Sequence, residues 1–326
     1  MIISKAPLRI SFVWWWSDLP SYYRKFGWAV ISTSIDKYIY VTINKKFDSK
    51  IRLSYSKTEE VDYIDELEHQ YAKEIMRYLN IDGWIEITSI ADIPGKWSGL
   101  WSSSAFTVAM LHALYAYKWK YVSPNILAQE ASMIEIEKCL QPIGKQDQYA
   151  WAFWWLNFIK FNSDDTVSVD PIICYKETKM RLSQNLIMLY TWITRSASNI
   201  LEWQNNNMIN DEEKQDIMKK MVDLAYVMKK DLENNNINNF WKLLHENWLL
   251  KKELTWWISN SQIDEWYEKA LRAWAEWWKL LWAWWWWFLL FYVPIDKQEN
   301  VYNALSDLNK VKFDFDNEWS KIIFVH

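Results

Sequence analysis

Apolar and polar positions along this chain change period several times, and each change marks an element. Ile2 to Val13 and Ala29 to Lys46 have strand composition, and in the second Tyr38, Tyr40 and Thr42 alternate with Ile39, Val41 and Ile43. A period of two predicts an antiparallel sheet. Over Asp65 to Leu79 the period lengthens, with Leu67, Tyr71, Ile75 and Tyr78 at steps of four, four and three, which is one face of a helix. A strand over Ile85 to Ile90 leads into the loop ADIPGKWSGLW, residues 91 to 101. Three serines then open an apolar helix through Tyr117, where hydroxyls at the start satisfy orphan N–H groups. A second helix, Pro124 to Lys138, stops before the turn QPIGKQD.

Helices dominate the second half. After strand-like Leu186 to Thr191, the segment Asp211 to Glu233 sets Ile217, Met221, Leu224, Met228 and Leu232 on one stripe, and Ile237 to Leu254 forms another helix after an Asn-rich turn. That stripe reads as core packing. Apolar Phe288 to Val293, a helix-like stretch from Asp296 to Leu308, and short strands at Val311 to Phe315 and Lys321 to Val325 close the chain. The texture changes between 170 and 185, so the reading is an α/β (α+β) fold of two domains, 1–180 and 181–326.

Composition narrows the partners. With 37 basic against 41 acidic side chains and a formal charge of -4, the chain lacks the footprint of a nucleic-acid binder or a polybasic membrane anchor. The longest apolar run, Leu280 to Val293, is short of the roughly 20 residues that span a bilayer and predicts burial. Cys139 and Cys174 are far apart, which predicts neither a disulfide framework nor a structural zinc. With no signal-peptide pattern in MIISKAPLRI, the expected compartment is the cytoplasm.

One ratio is abnormal. The chain has 27 Trp and 5 Gly, whereas average usage of about 7% would put about 23 glycines in such a length. Trp14 to Trp16, Trp97, Trp101 and Trp284 to Trp287 stand at turn-like positions, where glycine reaches positive φ and admits close neighbours and an indole does neither. We read most of these tryptophans as stand-ins for glycine, with Trp248 and Trp266, inside helix-like segments, as original. The contrasting reading is a genuinely Trp-rich or designed protein.

Three stretches carry chemistry. PGKWSGLWSSSAF, residues 94 to 106, is a Gly- and Ser-rich loop feeding a helix start, an outline that suits phosphate but also suits a Ser-capped core helix. It lacks the G-x-x-x-x-G-K-[ST] nucleotide signature. APLRISFVWWWSDLP, residues 6 to 20, sets Arg9 on a strand and Asp18 past a loop; IEIEKCLQPIGKQDQYA, residues 134 to 150, offers Glu135, Glu137, Lys145 and Asp147 around a turn. His69, His112, His245 and His326 are scattered, and His112, within an apolar helix, reads as packing rather than a ligand.

Together these motifs resemble the GHMP kinase superfamily of small-molecule kinases. With Trp read as Gly, residues 97 to 105 become GSGLGSSSA, similar to that family's phosphate loop, and 282 to 287 become GAGGGG, similar to its C-terminal glycine motif. APLRISFVGGGSDLP, the GKQDQ turn and TGITRSAS, residues 191 to 198, look like the branch acting on D-glycero-D-manno-heptose 7-phosphate. The resemblance implies a two-domain fold whose C-terminal half is ferredoxin-like, with ATP and Mg²⁺ as cofactors and a sugar phosphate as the small-molecule partner. It implies transfer to the anomeric hydroxyl, giving the 1,7-bisphosphate for nucleotide-activated (GDP-) heptose synthesis. Another sugar 1-kinase of the fucose or galactose type is the alternative within the superfamily, and a homodimer stays open.

Residue roles follow from the same resemblance. Asp147 falls at the catalytic Asp that orients or deprotonates the attacking hydroxyl, and Arg9 beside the transferring phosphoryl. Pro94, Gly95, Lys96, Trp97, Ser98, Gly99, Leu100, Trp101, Ser102, Ser103 and Ser104 form the ATP loop. Asp18 with Ser17, and Thr191 with Arg195, face the substrate, while Arg195, Arg24 or Lys145 are candidates for its phosphate. The carboxylate twelve residues before Asp147 is the Mg²⁺ ligand, which selects Glu135 over Glu137, and Ser103 completes the metal site, with Ser102 or Ser104 as alternatives. Phosphoryl transfer needs such parts: a cation, a metal on oxygen ligands and a base near the acceptor.

The tryptophans oppose this chemistry. A bulky residue at positive φ costs about 1–2 kcal/mol. Ten of them, Trp14 to Trp16, Trp97, Trp101, Trp282 and Trp284 to Trp287, would then cost on the order of 10–20 kcal/mol, against a domain stability of about 5–15 kcal/mol. The expectation is that the literal chain is catalytically silent and poorly folded although its lineage is a kinase.

Overall fold

The computed structural model describes residues 1–13, 20–93, 103–153, 155–191, 211–254, 261–283 and 286–326. It divides into two compact units, each built from separated segments. The first comprises Met1–Ile10, Thr33–Asn157 and Phe315–His326; the second comprises Ser11–Ser32 and Phe158–Asp314.

In the first unit β1 (Ile2–Val13), β2 (Trp28–Lys45), β3 (Ile51–Ser54), β4 (Thr58–Val61), β5 (Ile85–Ala91) and β12 (Lys321–Val325) lie in the order β12-β1-β2-β5-β3-β4. The β2–β5 register, Ile39↔Ala91 to Lys45↔Ile85, follows the predicted alternation, with Ile39, Val41, Ile43, Ile85 and Ile87 buried. Each such side chain contributes about 1.5–3 kcal/mol on burial. The short strands β3 and β4 are additions to the predicted set. Ile51 and Leu53 point inward while Arg52 faces out and pairs with Glu86 at 2.8 Å.

Helices α2 (Gln70–Tyr78), α3 (Ser103–Tyr117), α4 (Pro124–Met133) and α5 (Gln146–Ala152) complete this unit. The helix expected over Asp65 to Leu79 starts later, because a 3₁₀ turn, Ile64–Glu66, precedes it and His69 caps α2 by accepting the Ala72 N–H at 3.3 Å. Helix α3 is buried around almost its whole circumference and is tied to β1 by Ser4 Oγ donating to the Ala109 carbonyl at 2.7 Å. His112 on α3 lies 2.9 Å from Ser320 Oγ, and burial pushes its pKa down to about 4, as suits a packed neutral imidazole.

The second unit carries the sheet β11-β8-β10-β9, formed by β8 (Leu186–Tyr190), β9 (Trp277–Ala283), β10 (Trp286–Tyr292) and β11 (Asn309–Val311). The apolar run 280–293 therefore folds into two antiparallel strands, with Phe288 opposite both Leu281 and Tyr190. The strand expected over Val311 to Phe315 ends early; Phe315 makes only an isolated bridge to Ile35. On α7 (Glu212–Glu233) the stripe Met221, Leu224, Met228 and Leu232 is buried with Met218, while Ile217 is half-buried. Among the described residues no helix is long and apolar enough to cross a membrane.

Among the described residues eight non-glycine positions have positive φ: Asn80, Trp84, Trp119, Leu140, Trp155, Asp165, Asn235 and Trp274. Four are tryptophan. Two of those close helices in the manner that glycine normally serves. After α3, Lys120 N–H reaches Tyr115 O at 2.9 Å while Trp119 N–H reaches Ala116 O at 2.9 Å; after α9 (Ser261–Arg272), Ala275 reaches Ala270 at 2.9 Å and Trp274 reaches Leu271 at 3.1 Å. The same closure at Asn80 and Asn235 uses asparagine, the other residue that tolerates this conformation. Trp119 is 85% exposed, so its side chain contributes little packing to set against the strain. Trp119→Gly should raise unfolding free energy by about 1 kcal/mol in chemical denaturation, whereas Trp119→Ala, which keeps the offending Cβ, should recover less than half of that.

Candidate active site

Four elements of the first unit bring side chains to one place. The serines at the start of α3, Ser103 and Ser104, are buried. Beyond α4 the helix slips into one π turn, Ile134–Lys138, closed by Cys139 N–H on Ile134 O at 2.8 Å. The extra residue of such a turn re-aims the side chains around it. Here Glu135 is fully buried and Glu137 is exposed, so the two carboxylates that sequence placed side by side have opposite environments.

Glu135 Oε2 accepts three hydrogen bonds, from Ser104 Oγ at 2.9 Å, Ser103 Oγ at 3.1 Å and Gln148 Nε2 at 3.1 Å. Its other oxygen, Oε1, is buried with no hydrogen-bond partner, as are Thr107 Oγ1 and Gln148 Oε1. Burial pushes the Glu135 pKa up to about 7; the hydroxyl donors oppose this and the Asp147 charge adds to it. Tyr71 on α2 feels the same environment, its hydroxyl raised by burial first and by Glu135 second.

One residue before Gln148 on α5, Asp147 takes a fork from Arg9 on β1: Nε at 2.9 Å and Nη2 at 2.6 Å, both on Oδ1. Such charge-assisted pairs fix geometry as well as charge, and Oδ2 is left outside the fork. The structure thus brings Arg9, Asp147, Glu135, Ser103 and Ser104 of the expected set together. Gln148, Thr107 and Tyr71 were not singled out in the sequence; Gln148 sits inside the GKQDQ turn, while nothing in the local pattern marks the other two.

Thr191 is buried just past β8 in the second unit. Arg24, a candidate for the substrate phosphate, is engaged by Asp165 at 2.9 and 3.1 Å. Ser17, Asp18, Arg195 and the loop from Pro94 through Gly95, Lys96, Trp97, Ser98, Gly99, Leu100 and Trp101 to Ser102 lie outside the described residues.

The donor set fits a hard divalent cation. A bare buried carboxylate oxygen beside serine and threonine hydroxyls is oxygen-only ligation, and Mg²⁺ characteristically takes one or two carboxylates and completes its shell from phosphates and water. No cluster of three or more His, Cys, Asp or Glu suited to a metal occurs among the described residues, so a site fully built from protein carboxylates is not what these residues form.

Residues 63–153, which hold all of this geometry except Arg9, match the GHMP kinases N terminal domain. The chain carries a GHMP kinase N-terminal domain. Over 316 residues, 93% of both chains, the chain is 26% identical to D-glycero-alpha-D-manno-heptose 7-phosphate kinase of Campylobacter jejuni. Its fold is that of a D-glycero-D-manno-heptose 1-phosphate kinase from Bacteriodes thetaiotaomicron, at TM-score 0.81 and 24% identity with both chains covered completely. A putative sugar kinase from Campylobacter jejuni gives TM-score 0.79 and 24% identity, covering 98% of this chain and 97% of that one.

The raised Glu135 pKa sets a pH dependence for the protein's stability. Its folded value, about 7, lies above the ordinary 4.5, so its contribution to stability is complete below about 4.5 and is lost as pH rises through about 7. Glu135→Gln should remove that loss. Without divalent cations, the stability of the parent relative to Glu135→Gln should fall by on the order of 3 kcal/mol between pH 4.5 and 8, read by urea unfolding; a flat difference would contradict the assignment.

Proposed function

We propose that this kinase transfers the γ-phosphoryl group of ATP to the anomeric hydroxyl of a D-glycero-D-manno-heptose 7-phosphate, giving the 1,7-bisphosphate. The observation that carries the reading is the Arg9–Asp147 fork one residue from the Gln148–Glu135–Ser103–Ser104 cluster. Support for the sugar comes from the heptose 7-phosphate kinase aligned over 93% of the chain. The division near residue 180 into a phosphate-loop half and a sugar-closing half, and a cytoplasmic location, belong to the same proposal.

Chemically, the protein must position the groups and offset charge as it spreads over the transferring phosphoryl. Asp147 is the group to receive or orient the proton of the attacking hydroxyl, through the oxygen that Arg9 leaves outside its fork. Arg9 holds that carboxylate in one orientation and adds a fixed positive charge next to it. Glu135 and Ser103 would hold Mg²⁺, which when bound neutralises phosphate oxygens. The opposing reading, an aromatic binding protein, needs a continuous exposed tryptophan patch; Trp28, Trp151, Trp241, Trp248, Trp266, Trp277 and Trp278 are instead buried.

The decisive experiment assays the literal chain beside one with the ten motif tryptophans, three of which (Trp282, Trp286 and Trp287) lie in β9 and β10, returned to glycine, using Mg²⁺-ATP with the heptose 7-phosphate and with free hexoses. Turnover of the heptose phosphate by the glycine form, and none by the literal chain, is the expected result. Asp147→Asn in the active form should lower kcat by about 10²–10⁴-fold with the chain still folded. Preference for a free hexose would move the assignment to another sugar 1-kinase.

A further inference from the structure

Gln148 is fully buried, next in sequence to Asp147, and its amide donates to the oxygen of Glu135 that already takes two serine hydroxyls. Three donors converge on Oε2, and none is placed on Oε1. A carboxylate held by one oxygen presents the other. We propose that Gln148 is a positioning residue for the metal ligand, tying down Oε2 so that Oε1 of Glu135 faces the cation. Because Gln148 follows Asp147 on α5, a single peptide unit sets the spacing between the metal-ligand carboxylate and the carboxylate that handles the acceptor hydroxyl. Gln148 Oε1 is likewise buried without a partner.

This inference rests on the kinase reading, and its test separates the two. Mn²⁺ binding in the presence of ATP is measured by electron paramagnetic resonance on the full chain with glycine at the ten motif positions. Gln148→Met, which keeps length and loses the donor, should weaken Mn²⁺ binding about 10–100-fold, the usual effect of removing an outer-shell partner, with metal-free ATP binding unchanged. Gln148→Asn, which withdraws the amide by one carbon, should move the same way and guards against a misfolded Met variant. Parent-like Mn²⁺ binding in both variants overturns the role of Gln148; absence of Mn²⁺ binding in the parent overturns the kinase metal site.

A separate set of observations concerns how this chain is encoded. Tryptophan occupies the glycine position of two helix closures and several glycine positions of the motifs described above, among which Gly95, Gly99 and Gly144 are retained. Five glycines nevertheless survive, at 27, 83, 95, 99 and 144. One residue type exchanged for one other at many sites, with some sites spared, is the signature of a codon rather than of selection on the protein. We infer that the spurious tryptophans stand at UGA codons that the native cell reads as glycine, while the surviving glycines use GGN codons.

The gene decides it: Trp84, Trp119, Trp155, Trp274 and the ten motif positions should be UGA, and Trp248 and Trp266 should be UGG. Peptide masses of the protein from its own cell should be lower at each UGA position by the difference between an indolylmethyl group and hydrogen. UGG at Trp119 and Trp274, or tryptophan masses there, would overturn the inference.

Discussion

A carboxylate with no exposed surface is the constraint around which the first unit is arranged. Burying Glu135 costs free energy that no lysine or arginine among the described residues offsets directly; instead two hydroxyls and one amide share a single oxygen, and the protonated form gains ground. Each donor comes from a different requirement of the fold. The serines open α3, the π turn swings the carboxylate inward, and α5 brings the amide. Such a group is poor economy for stability alone, and a cation next to its bare oxygen gives the arrangement a purpose.

The adjacent Arg9–Asp147 pair applies the complementary logic. Its charges offset one another in a half-buried setting, so Asp147 can remain an oriented acceptor close to a second carboxylate. Two acidic groups near one another repel; here one is pinned by a guanidinium and the other by neutral donors, and their chemistry separates accordingly. The match to the GHMP kinases N terminal domain spans Glu135 and Asp147, and the chemistry of the site follows from its own atoms.

Tryptophan at glycine positions is the second constraint. The backbone keeps left-handed conformations at Trp119 and Trp274 because the helix ends demand them: carbonyls of the last turn need donors from residues that can reach back only if the chain reverses hand. Side-chain identity does not set this demand. The geometry is one that glycine ordinarily serves, and at Trp119 and Trp274 the indoles bear the strain.

Much of the architecture was legible from period alone. Strand β1, the β2–β5 pair, α3 and the Met221-to-Leu232 face of α7 follow from alternation and helical spacing, because burial on one face imposes that rhythm. The start of α2 and the π turn were not, since both depend on where one hydrogen bond slips by a residue, and composition is blind to that. The short strands β3 and β4 carry too few residues for a period to stand out.

Residue type and order determined the family likeness, Arg9 and Asp147 as a candidate pair, and the suspicion that tryptophan replaces glycine. The same resemblance had already favoured Glu135 over Glu137; turning Glu135 inward and Glu137 outward, recruiting Gln148, and splitting the chain into two discontinuous units were decisions of the tertiary structure. Those depend on which groups are removed from water together, and contacts between residues distant in sequence alone decide that.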